Sequence, residues 1–369
     1  MEQLPQDPAP PAVPDIALVP EAVAYGVTYK DRSTGLTIFG IIEMILGALA
    51  ALMAPVMLLG AAFSRKIAGG AMPAGTYVSG ICSYTFAAAV LVTLGIGAIR
   101  ARRWSWALNL ILSWYWLIVG VVATVAITVF MPRIFAAGFQ QAAAQTPNAP
   151  PLPTGVFAVI LTLVIVFMSF FLVILPLAFL LFYGRKDVEE TCKRRDPEER
   201  WTDRCPLPVL AVSLLLGSSA VYFLLMAVTT PFIAFFGRYL TGLPAAAVLV
   251  VMAGIDCFLA VLLYRVSLAG WWLAVSALVL RVISVILTFR RADLMEAYSK
   301  MGLSDTQLQQ MSANPAFRSG TLMLWWSVVL MILFLGYMIW IKRFFRGPAE
   351  SGPVKPEMSY QPPSAGPAL

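Results

Sequence analysis

Histidine is absent from all 369 residues of the chain. That excludes the commonest general base and metal ligand, and with it every histidine-dependent triad and zinc-protease arrangement. Cysteine is scarce: of four, Cys82 and Cys257 sit in apolar stretches, while Cys192 and Cys205 lie thirteen positions apart in a charged segment, without paired metal-ligand spacing. Both of the latter thiols are expected to be reduced if their segment is cytosolic. The sequence has no glycine-rich phosphate loop, nucleophile elbow or haem-attachment spacing. The expectation is a protein without cofactor, bound metal or enzymatic chemistry.

Charge is the second scarcity. Only 12% of residues are charged and 60% are hydrophobic, which excludes a water-soluble core and points to a polytopic membrane protein. The net charge of +7 lies beside apolar segments. There the cations act as topology determinants and as contacts for anionic lipid headgroups, and nucleic acid is not an expected partner. The acidic, proline-rich start "MEQLPQDPAPPAVPDIALVPEAVAYG" has no apolar core behind a basic region. It reads as no cleavable signal peptide, and the first hydrophobic helix serves as the membrane signal.

A bilayer core needs about 20 apolar residues in helical form. Eight segments meet this: Leu36 to Phe63, Thr76 to Ile99, Trp104 to Met131, Val156 to Tyr183, Val209 to Phe236, Pro244 to Tyr264, Leu268 to Phe289 and Thr321 to Ile341. The predicted fold class is therefore all-α, a polytopic helical membrane protein with eight transmembrane helices. With both termini inside, seventeen basic residues fall on the cytoplasmic side and eight on the other, which favours cytoplasmic termini in an inner or plasma membrane.

The chain also resembles itself. "RARRWSW" from Arg100 and "RVSLAGW" from Arg265 each place Arg six residues before Trp, at Trp106 and Trp271. "EMILGALA" around Gly47 matches "SLLLGSSA" around Gly217, at an offset of 170 against 165 for the arginines. The expected plan is two tandem four-helix repeats of one orientation. Residues 34–184 and 207–343 form the repeats, 185–206 a charged cytoplasmic linker, and 1–33 and 344–369 disordered cytoplasmic ends. In the linker, Glu189 with Lys193, Glu190 with Arg194, and Asp196 with Arg200 are spaced for ion pairs, with Pro197 breaking any helix near Asp196. Its seven basic and seven acidic side chains cancel, so it reads as a solvated connector. In the last outer loop, Leu294, Met295, Tyr298 and Met301, then Ser304, Gln307, Leu308 and Met311, predict two short amphipathic helices packed on the protein's own helix ends.

Three ionisable groups fall deep in the spans: Glu43, Asp256 and Arg281. Intramembrane charge is costly, so each is a candidate intramembrane polar site. Glu43 and Asp256 lie at similar depth, as a cation- or proton-coupled site between the halves would require; Asp256 with Arg281 as an ion pair across one hairpin is the structural alternative. Gly47, Ala51, Gly217 and Ser218 are candidate helix-packing positions. Pro55 and Pro231 are expected to lie in the outer parts of their helices and to kink them. The expected function is a non-enzymatic scaffold or accessory subunit of a membrane assembly. Its partners would be the lipid bilayer and a membrane protein or second copy. The alternative is a small-solute or ion transporter with its site near Glu43 and Asp256.

Overall fold

The computed structural model describes residues 30–67, 74–145, 154–291, 293–303, 308–309, 312 and 321–345. Most of both terminal segments, and Ser304, Gln307 and Met311 of the expected second outer helix, lie outside them. Among the described residues eight helices are long and apolar enough to cross a bilayer: Ser33–Ala62, Ala74–Ile99, Arg103–Val129, Ala158–Tyr183, Leu207–Thr229, Gly242–Tyr264, Leu268–Arg291 and Ser327–Phe345. The chain is an all-α polytopic membrane protein. Leu163, Leu181 and Val251 are each more than 60% exposed, which is stable only against hydrocarbon, where a helix satisfies its own backbone.

The helices are α1 (Ser33–Ile67), α2 (Ala74–Ile99), α3 (Arg103–Gln145), α4 (Thr154–Ser169), α5 (Leu175–Tyr183), α6 (Lys186–Arg195), α7 (Leu207–Thr229), α8 (Gly242–Tyr264), α9 (Leu268–Arg291), α10 (Leu294–Lys300) and α11 (Thr321–Ile341). A π turn at Phe170–Ile174 joins α4 to α5 into one span. It lies just before Pro176, whose missing N–H disturbs the regular ladder. Gly120 of α3 receives the displaced backbone: a Cβ there would sit 1.7 Å from the Leu172 carbonyl oxygen.

The fifth span ends earlier than expected. Pro231 disfavours a helical backbone at the residue before it, so α7 stops at Thr229. Phe232–Phe235 (β1) then pairs antiparallel with Arg238–Thr241 (β2). Pro231 therefore lies beyond the helix and does not kink it, whereas Pro55 lies inside α1. Leu294 and Ala297 of α10 pack with Tyr239 and Phe232 of this hairpin, and the Lys300 ammonium donates to the Tyr239 carbonyl at 3.1 Å. The first outer helix thus packs on its own chain.

Two turns at one end of the bundle match closely. Ala101 and Val266 both adopt left-handed backbone, at φ 48 and 53. The N–H groups of Arg100, Ala101 and Arg102 donate to Ile96, Ala98 and Gly97; those of Arg265, Val266 and Ser267 donate to Val261, Leu263 and Leu262. Each pair of positions differs by 165, Arg100 to Arg265. This is the helix-ending Schellman pattern, with a side chain where glycine is usual. Six residues on, Trp106 Nε1 donates to the Tyr183 carbonyl at 2.9 Å and Trp271 Nε1 to the Met338 carbonyl at 2.8 Å.

Small side chains bring α1 onto α2 and α7 onto α8, with Gly47 alone of the expected positions among them. A Cβ on Gly40 would lie 2.7 Å from the Gly95 carbonyl oxygen, and one on Gly95 2.6 Å from that of Gly40. In the second half Ser213 Oγ donates to the Ala260 carbonyl at 2.7 Å. Gly95 and Ala260 are 165 positions apart, as the two turns are, while their contacts Gly40 and Ser213 are 173 apart, against 170 for Gly47 and Gly217. Gly47 does pack, its Cβ position lying 2.8 Å from Val92. Among the described residues a Cβ on Gly217 would have nothing within 4 Å, and Ala51 and Ser218 are exposed.

The charged segment is more than a solvated connector. Val188 and Cys192 of α6 are buried in one core with Leu36, Ala98, Trp106, Phe179 and Tyr183. The opposite face carries the expected pairs, Lys193 with Glu189 at 2.6 Å and Arg194 with Glu190 at 3.0 Å. Asp196 caps the end of α6, only 2% exposed. It accepts from the Arg103 backbone N–H at 3.3 Å and pairs with Arg102 at 3.4 Å and Arg200 at 2.8 Å. Hydrogen bonds from Arg200, with the Arg103 N–H and the Arg102 charge, hold this carboxyl below its ordinary value of 3.8. Burial pushes the Cys192 thiol up to about 12. Beyond the linker, Leu207 packs against both the first core and the second, which contains Val209, Leu210, Leu263, Trp271, Met338 and Ile341. Ile111 of α3 also packs against the second core, making this part of the seam between the halves apolar.

Candidate functional site

The intramembrane acids occupy two separate clusters, one in each half. Glu43 is 1% exposed, ten residues into α1. Its carboxylate accepts from the Tyr183 hydroxyl at 3.1 Å and from Asn109 Nδ2 at 3.2 Å. Tyr183 ends α5, where its ring reaches back beneath Phe39 and Phe179. Asn109 lies two turns into α3, and its Nδ2 also faces the Tyr183 hydroxyl at 3.2 Å and Ser105 Oγ at 3.4 Å. Two hydrogens cannot serve three acceptors well. The other amide atom, Asn109 Oδ1, is buried without a hydrogen-bond partner among the described residues. Glu43 forms no ion pair among the described residues.

Asp256 of α8 is 0% exposed and pairs with Arg281 of α9. Ser219 of α7 donates its hydroxyl to the other carboxylate oxygen. The Arg281 guanidinium, with its side chain 28% exposed, lies 5.8 Å from the Phe223 ring centre. The ion-pair alternative is therefore what forms, and its geometry is direct. Glu43 and Asp256 do not share a site: their hydrogen-bond partners come entirely from their own halves. Glu43 also gains partners that the sequence did not disclose. Asn109 was legible only as a polar residue in a span, and Tyr183 only as an aromatic near a helix end.

Aligned on the matching turns and tryptophan bonds, Asn109 falls on Ala274 at the 165 offset, Tyr183 on Met338, and Glu43 on Leu216 at the 173 offset. Ala274 and Met338 are buried and Leu216 packs on the same core. On the same alignment Ser219, Asp256 and Arg281 fall on Leu46, Leu91 and Trp116.

Among the described residues no group of three or more cysteine, aspartate or glutamate side chains is placed to hold a metal ion. No protein-family model, curated protein or solved structure matches this chain.

Proposed function

We propose that the chain is a non-enzymatic membrane scaffold or accessory subunit. Two tandem four-helix units of one orientation build it, in the inner or plasma membrane with both termini cytoplasmic. The observation that carries this reading is that Glu43 and Asp256 are each hydrogen-bonded inside their own half, while Leu207 and Ile111 give the seam apolar packing. A coupled pair of acids facing each other across the seam would have argued for transport. The tandem reading is supported by the two left-handed turns and the two tryptophan bonds, which apolar composition alone does not produce. A reporter fused after Leu369 and active only outside the cytoplasm would reverse the orientation.

The test is the triple variant E43L/N109A/Y183M, which installs in the first half the residue types of the second. In native-lipid discs it is expected to keep the crosslinked assembly and solute-independent melting of the unaltered chain. A second reading, a small-solute or ion transporter, is favoured by one feature. Glu43 has no cation partner among the described residues, and an amide turn at Asn109 would present the unpartnered Oδ1 to a protonated carboxyl. Proton flux in liposomes that the unaltered chain supports and the triple variant abolishes establishes that reading and overturns the scaffold.

A further inference from the structure

At the linker end of the first half, α2, α3 and the segment after α6 border an open cavity of about 350 Å³. Arg100, Arg102 and Arg200 line it together with Thr93, Ile96 and Trp104. We propose that this cavity binds the phosphate of an anionic phospholipid, with the arginines on the headgroup and the upper acyl chain along the Thr93–Trp104 wall.

Charge is the first argument. The lining contains three arginines and no acid. Two are held in place: Asp196 pairs with Arg102 at 3.4 Å and with Arg200 at 2.8 Å. Glu198, 75% exposed, also touches Arg200 at 3.0 Å. Pinned guanidinium groups lose less freedom on binding, and their forked donors match phosphate oxygens. The Arg100 side chain makes no ion pair or hydrogen bond among the described residues.

Shape is the second argument. Seven residues separate Arg100 from Thr93, about 10 Å along a helix, so the cavity runs from the cationic turn into the apolar band. Ile96 in its wall is 38% exposed and continues the lipid-facing surface through Ile99 at 36%. Trp104 stands at the turn, where indole favours the headgroup level. Free phosphate fills only the arginine mouth, whereas a phospholipid fills both parts. The larger cavity beside Lys30, Arg32 and Arg185, about 440 Å³, carries the Asp31 carboxylate in its lining and suits an anion less well. The proposal uses neither Glu43 nor Asp256, so it stands apart from the scaffold and transport readings.

The experiment uses the full chain in uncharged detergent, titrated with phosphatidylglycerol, phosphatidylcholine or inorganic phosphate and read by thermal shift and native mass spectrometry. Phosphatidylglycerol is expected to stabilise saturably, phosphatidylcholine to do so weakly, and inorganic phosphate neither to stabilise nor to compete. R100Q should weaken phosphatidylglycerol binding about tenfold, the scale of one charge-assisted contact. R100K should fall between, because it keeps charge and loses the fork. R204Q removes an exposed arginine from the same end but outside the cavity, and should bind as the unaltered chain does. Equal weakening by R100Q and R204Q would reduce the effect to general surface attraction and overturn the site. Equal stabilisation by phosphatidylcholine, or competition by inorganic phosphate, would overturn the anionic-lipid assignment.

Discussion

The Asp256–Arg281 pair offers a measurable test of whether this chain's buried charge is structural. Asp256 is fully buried, Arg281 keeps 28% of its side chain accessible, and Ser219 supplies one further hydrogen bond to the carboxylate. Removing one member of a buried pair generally costs about 3–5 kcal/mol. R281L strands the inaccessible carboxylate and should lie in that range. D256N strands the partly accessible guanidinium, which snorkels toward water and retains the Phe223 ring at 5.8 Å, so about 2–4 kcal/mol is expected. The double variant D256L/R281L removes both charges. Apolar replacement of both partners is near neutral or stabilising, so the double variant should be more stable than either single one. Reversible unfolding in mixed micelles, analysed as a double-mutant cycle, reads the coupling. Additive losses, or a D256N variant as stable as the unaltered chain, would refute the pair as a structural element.

Three further outcomes follow from the same geometry. G95V places atoms where a Cβ alone already lies 2.6 Å from the Gly40 carbonyl oxygen; it should lower stability by about 1–3 kcal/mol, while G217V, with open space around it, should leave the melting midpoint unchanged. Asp196 has a depressed folded-state pKa, so its contribution is present above the ordinary 3.8 and lost as pH falls through the lower folded value; D196N should melt lower at pH 7, by about 1–2 kcal/mol, and should lose the acid-dependent part of the thermal midpoint. Cys192 and Cys205 are buried, and burial pushes their thiols up from 9.0 to about 12 and about 11; maleimide at pH 7 should add two further labels only on unfolding, and the stability that favours the neutral thiols should be present below pH 9 and decline above it.

Span number, approximate span ends and the helix that stops at Asp196 were readable along the chain, because each depends on a local property. Hydrocarbon requires about 20 apolar residues per crossing, and Pro197 withholds the N–H that a longer helix needs. The deep charges were equally legible, since any acid inside an apolar run is conspicuous. Their partners were not: Glu43 is joined to Asn109 and Tyr183 across 66 and 140 residues, and such distances carry no periodic signal. The helix contacts were no more legible: moving an apolar helix by nearly one turn hardly changes its composition, so the approach of Gly40 to Gly95 and the Ser213–Ala260 bond are visible only in the packed structure. Sequence alone determined that this chain dissolves in lipid. Tertiary structure decided which polar groups meet there, because in hydrocarbon a buried donor finds its acceptor through helix packing and not through neighbours in the chain.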